Sequence, residues 1–180
     1  MTASRRWGWA AAFAAAAALA AGCATMQVNS FAQRGQDFSK YHTYGWAPAD
    51  QLRTGDPRLD NNPFFLERLQ TDVDKNFDWR GIEKTANSPD LLIHYHVNIN
   101  QEINSAGLDE PYGYTCESCE PYVYDKGTLL LDLVDARTKK LVWRGWAEGS
   151  MDNAIDNQDF MEQRIDEAVT KILATLPREL

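Results

Sequence analysis

The chain has little of what familiar catalysts require. Its 180 residues include only three histidines and three cysteines. No Gly-x-Ser-x-Gly, His-Glu-x-x-His or phosphate-cradling glycine loop occurs in it. A nucleophile elbow, a helical zinc site and a nucleotide loop therefore each lack their usual carrier. Positive charge is also scarce, with 18 Lys and Arg against 26 Asp and Glu, for a net charge of −8. Such a surface repels phosphate backbones and anionic lipid heads, so it excludes nucleic acid as a partner and electrostatic docking as a means of membrane attachment. No apolar run reaches the roughly 20 residues that a helix needs to cross a bilayer. The expectation is a protein that is not an enzyme, with an envelope hydrolase as the alternative.

The first residues carry an address. Arg5 and Arg6 precede an apolar stretch from Ala10 to Ala21 that is nearly all alanine. Its length is that of a signal peptide. It ends in Leu19-Ala-Ala-Gly22-Cys23, which resembles the bacterial lipobox, although leucine stands one place earlier than is usual. The resemblance implies cleavage before Cys23 and acylation there, so that acyl chains tie the protein to a membrane and no other cofactor is expected. Ala24 occupies the place where aspartate would imply inner-membrane retention, so the outer membrane is expected. An ordinary secretory signal is the alternative. The expected division is a signal peptide at 1–22, a flexible tether with the lipidated cysteine at 23–36, and one domain at 37–180.

Within that domain, aromatic and β-branched residues from Phe38 to Trp46 predict a strand ended by Pro48. Asn62-Pro63 reads as a helix start, and Phe65, Leu66, Leu69, Val73 and Phe77 recur at helical spacing up to Gly81. From Asp90 to Ile103 the alternation is clean, with Leu91, Ile93, Tyr95, Val97 and Ile99 on one face. Residues 104–126 read as a long loop. Thr128–Asp135 and Leu141–Gly149 form a hairpin whose favoured register sets Asp132 across from Arg144 and Leu130 across from Trp146. Small Gly145 and Ala147 on its inner face leave room for a helix. A last helix, about Asp159 to Thr175, carries Met161, Ile165, Ala168, Val169 and Ile172 as its stripe. The expected fold is α+β: a largely antiparallel four-stranded sheet with two helices on one face, in the order βαβββα.

Several segments resemble a bacterial lipoprotein family known as domain of unknown function 4136. They are Asp37-Phe-Ser39, Tyr41-His-Thr-Tyr44-Gly-Trp46, Asp90 to Val97, Gly127-Thr-Leu129, and Asp132 to Thr138 running into Leu141 to Ala147. The resemblance implies a cell-envelope protein of this fold and carries no catalytic residues over.

Candidate binding residues lie on the polar side of the strands. His94, His96, Asp132, Arg144, Trp146 and Glu148 gather on one open face, which we read as a recognition surface for an envelope protein or glycan; a merely solvated face is the alternative. Tyr112, Tyr114, Tyr122 and Tyr124 offer contact area to a partner or cover for the sheet edge. Cys116 and Cys119 in an oxidising compartment are expected to form a disulfide, and redox chemistry is the weaker alternative. His94 and His96 with Cys116 and Cys119 would together make a zinc set. Two partly solvated histidines are the plainer reading, so no metal is expected.

Overall fold

The structure is a computed structural model and describes residues 26–48, 53–60, 62–104 and 122–178. The signal peptide, Cys23, Tyr112, Tyr114, Cys116 and Cys119 lie outside the described residues.

Six strands form one mixed sheet: β1 (Gln27–Ala32), β2 (Thr43–Trp46), β3 (Glu83–Lys84), β4 (Leu91–Asn104), β5 (Tyr122–Asp135) and β6 (Leu141–Ser150). Their order across the sheet is β1-β6-β5-β4-β2-β3. β1, β6, β5 and β4 pair antiparallel, while β2 runs parallel to both β4 and β3. Two helices, α1 (Pro63–Trp79) and α2 (Gln158–Leu173), pack on one face. Among the described residues the α+β class and the two helices are as expected, but the four-stranded antiparallel sheet is not. The parallel pairing arises because the chain leaves β2, passes through α1 and returns through β3 before entering β4, and a strand that returns after a helix re-enters in the same direction.

The tether expected over residues 23–36 is corrected too. Gln27–Ala32 form β1, an edge strand paired with β6 from Gln27↔Glu148 to Ala32↔Trp143. An edge strand buries one face against one neighbour, so it needs few large apolar residues and shows little periodicity. The strand expected from Phe38 shrinks to Thr43–Trp46. Asp37 accepts hydrogen bonds from the Ser39 amide (3.0 Å) and hydroxyl (2.7 Å), a local turn that competes with the ladder.

The helix ends follow the sequence. The Asn62 side chain accepts from the Phe64 and Phe65 amides, with Pro63 in the first turn, and Gly81 closes the helix at φ +75°. In α2 the stripe Met161, Ile165, Ala168, Val169 and Ile172 is buried in one core with Leu129, Leu131 and Trp143 of the sheet. The hairpin register is the one expected: Asp132 opposes Arg144 and Leu130 opposes Trp146. A bulge beyond Leu133 shifts the end of this ladder.

Candidate functional site

Alternation along β4, β5 and β6 sends odd-numbered residues toward the helices and even-numbered ones to the opposite face. That opposite face therefore carries cross-strand rows. One row reads Phe31, Arg144, Asp132, His94; the next reads Asn29, Trp146, Leu130, His96. The structure thus brings together all six residues singled out for this face, Glu148 standing one row further on beside Thr128 and Asn98.

The centre of the face is an ion pair. Arg144 donates from Nε to Asp132 Oδ1 and from Nη2 to Asp132 Oδ2, both at 2.6 Å. This two-pronged geometry is the strongest form of such a contact, and it raises the affinity of the guanidinium for its proton. Asp132 is only 6% exposed, whereas the Arg144 side chain remains 39% exposed. The arginine is thus the lid over a buried carboxylate. Arg144→Ala should cost about 1–2 kcal/mol, less than the 3–5 typical of a fully buried pair, because water reaches Asp132 once the guanidinium is gone. Urea unfolding of the variant checks this.

Beside the pair, the Phe31 and Trp146 rings meet with centroids 5.1 Å apart and planes tilted by 45°, and Phe31 is 68% exposed. Phe31 and Asn29 lie in β1, a segment whose sequence reads as tether and so offers no candidates. The signal that would have found them is an aromatic residue in a segment otherwise small and polar. His94 and His96 are half-buried and two residues apart on this face. No group of three or more His, Cys, Asp or Glu able to hold a metal occurs among the described residues.

Tyr122 and Tyr124 start β5, with rings 6.1 Å apart, and the Tyr124 hydroxyl donates to Glu102 at 3.1 Å. Lys126 bridges Glu102 (3.2 Å) and Glu148 (2.8 Å), and both carboxylates help it keep its proton.

The other end of the sheet explains many residues of the family resemblance. Asp90 accepts from the His42 and Thr43 amides (2.9 and 3.0 Å) and from the Thr43 hydroxyl (3.0 Å). Asp135 accepts from the Arg137 and Thr138 amides (3.1 and 2.7 Å), the Tyr41 hydroxyl (3.0 Å) and Lys40 (3.5 Å). Those amide bonds, chiefly that of Thr138, hold the Asp135 carboxyl well below the usual range, and the amide of His42, with that of Thr43, lowers Asp90 from its ordinary value. A carboxylate this hard to protonate is a poor general base near neutrality. The cleft of about 500 Å³ beside Lys40, Asp90, Asp135 and Arg137 is therefore walled by carboxylates already committed to pinning backbone.

Between the sheet and α2 lies a cavity of about 50 Å³, lined mainly by apolar groups such as Val97, Ile99, Met151, Met161 and Ile165. Ligand sites usually run to several hundred Å³, so this void is a packing gap.

The sequence pattern of the family described as Domain of unknown function (DUF4136) matches residues 28–178. The chain belongs to that family. The match begins inside β1, so the edge strand is part of the DUF4136 domain. A DUF4136 family protein from Bacteroides thetaiotaomicron shares the fold at TM-score 0.52 and 14% identity, with 81% of this chain and 95% of that chain covered. A PDZ domain protein from Parabacteroides distasonis is similar at TM-score 0.58 and 14% identity over 85% of this chain. The DUF4136 chain spans only 36% of that longer protein. A minor lipoprotein from Acinetobacter baumannii is similar at TM-score 0.43 and 12% identity, covering 74% of this chain and 91% of that one. No curated protein matches the chain. Among the described residues no helix is long and apolar enough to cross a membrane.

Proposed function

We propose that this DUF4136 protein is a non-catalytic envelope module, lipid-anchored through Cys23 to the periplasmic side of the outer membrane, that binds a protein partner through the helix-free face of its sheet. The observation that carries the reading is the exposed Phe31 ring against the half-buried Trp146, beside the Arg144–Asp132 pair. Aromatic and arginine side chains dominate binding energy where they cluster. Here the ion pair fixes Arg144 in place before any partner arrives, which lowers the ordering cost of binding. The net charge of −8 argues for a partner that is neutral or basic.

The test is a photo-cross-linking residue at Asn29, on β1 next to Trp146, in cells that make the full chain. The expected result is a discrete protein adduct that disappears when Phe31 and Trp146 are both changed to alanine, while Cys23 acylation is unchanged by mass. An adduct that persists in the double variant, or none at all, overturns the face as a protein-binding surface. Loss of binding of purified envelope glycan in the double variant would redirect the site to saccharide.

A further inference from the structure

The cleft of about 500 Å³ gathers positive charge in a chain that has little of it. It sits where β4 begins and β5 ends, at the Leu91↔Asp135 pair. Lys40, Arg137 and Lys139 line it together with Asp90 and Asp135. Three cations against two acids leave one positive charge in excess, whereas the whole chain carries −8. Lys140 follows in the same turn, and the segment 85–89, which brings Ser88 and Pro89 to the cleft, has no charged residue.

Both acids are engaged within the protein. Asp135 accepts two bonds on each oxygen: the Arg137 and Thr138 amides on Oδ1, the Tyr41 hydroxyl and Lys40 on Oδ2. Asp90 Oδ2 accepts from the His42 and Thr43 amides and the Thr43 hydroxyl. The donors are not matched in this way. Arg137 and Lys139 are exposed, and among the described residues neither side chain has a hydrogen bond or ion pair. Lys40 reaches Asp135 only at 3.5 Å, with its Nζ 4.7 Å from the centre of the Tyr41 ring. That ammonium is placed yet keeps donors to spare. The cleft thus offers two ammonium groups and a guanidinium, whose planar fork matches carboxylate or phosphate oxygens.

The backbone supplies a second observation. Among the described residues three non-glycine residues have positive φ, and two of them, Ser88 (51°) and Lys139 (58°), line this cleft. Turns usually fill such positions with glycine. At residue 139 a lysine stands instead, so a cation is kept at the cleft against the local backbone preference. The turn that carries Arg137 and Lys139 is pinned by Asp135, and groups already in place lower the ordering cost of binding.

We propose that this cleft binds a small ligand carrying two or more carboxylate or phosphate groups, held by Lys40, Arg137 and Lys139. Its volume falls in the span of small-molecule sites, roughly 300–1,000 Å³. The site shares no residue with the helix-free face, so it stands or falls independently of the partner proposed there.

The experiment titrates the full chain in detergent with inorganic pyrophosphate and, separately, with citrate at low ionic strength. Heat of binding is followed by calorimetry and backbone amide shifts by NMR. The expected result is saturable one-site binding of at least one probe, with shifts centred on residues 40–43, 88–92 and 135–140. Binding of pyrophosphate alone assigns the site to phosphate, and of citrate alone to carboxylate. The double variant Arg137→Gln with Lys139→Gly should weaken binding about tenfold or more, since each lost contact is charge-assisted. Its Tm should stay level or rise, because glycine adopts a φ near 58° freely. Arg53→Gln with Lys75→Gln removes the same charge from residues that do not line the cleft and should leave binding unchanged. Equal weakening in both double variants would reduce the effect to net charge and overturn the site. Saturation of neither probe, or shifts centred elsewhere, overturns it as well.

Discussion

Replacing Asp135 with alanine should lower the unfolding free energy by about 3–5 kcal/mol, the cost of removing a buried, multiply bonded charge. Asp135 is 5% exposed, and its carboxylate ties the β5–β6 turn to the segment before β2 through the Tyr41 hydroxyl. Without it, the amides of Arg137 and Thr138 and the Tyr41 hydroxyl all lose their acceptor. Lys40 sits 3.5 Å away with its side chain 43% exposed, so its share of the loss is small. Tyr41→Phe removes one bond only and should cost about 1 kcal/mol. Urea titrations of the single and double variants give the coupling between the two residues. The same site sets an acid limit. Because the folded carboxyl is held below its ordinary value, its stabilisation is complete above the unfolded value of about 3.9 and is lost as pH falls below that toward the folded value. Unfolding free energy should therefore hold steady down to about pH 4 and then fall, and Asp135→Asn should flatten that fall. An acid slope identical in the two proteins would remove Asp135 from this account.

The second large effect is expected at Gly145. A Cβ added there would lie 2.4 Å from the Trp143 ring and 2.7 Å from Ile172 of α2. Trp143 and Ile172 are among the most completely buried side chains, and a rigid ring between sheet and helix cannot yield a full ångström cheaply. Gly145→Ala should destabilise by about 3 kcal/mol, at the upper end of overpacking costs, and Gly145→Val by more. Thermal unfolding by circular dichroism measures both. Ala147, one row along, tolerates its methyl and is buried, so Ala147→Gly should be much milder, about 1 kcal/mol. If Gly145→Ala proved neutral, the close approach of α2 to β6 would be wrong.

How much of this was legible beforehand differs from element to element. Asn62-Pro63 and Gly81 announced α1 because caps act through bonds within a few residues of themselves. The alternation of β4 and the Asp132–Arg144 register could be read because one face had to be buried, and a slip of one residue would expose it. The candidate face was therefore legible wherever its strands were periodic. Phe31 was not, since an edge strand of six residues that touches one neighbour leaves no pattern. Nor was the parallel β2–β4 pairing, or the reach of the β4–β5 pair past β1. The sequence by itself determined each element whose signal is local: helix caps, strand faces and the hairpin register. Only the tertiary structure decided which strands became neighbours, how far one outran another, and that Arg144 would cover a buried Asp132, because these depend on where distant segments meet and no local periodicity encodes that.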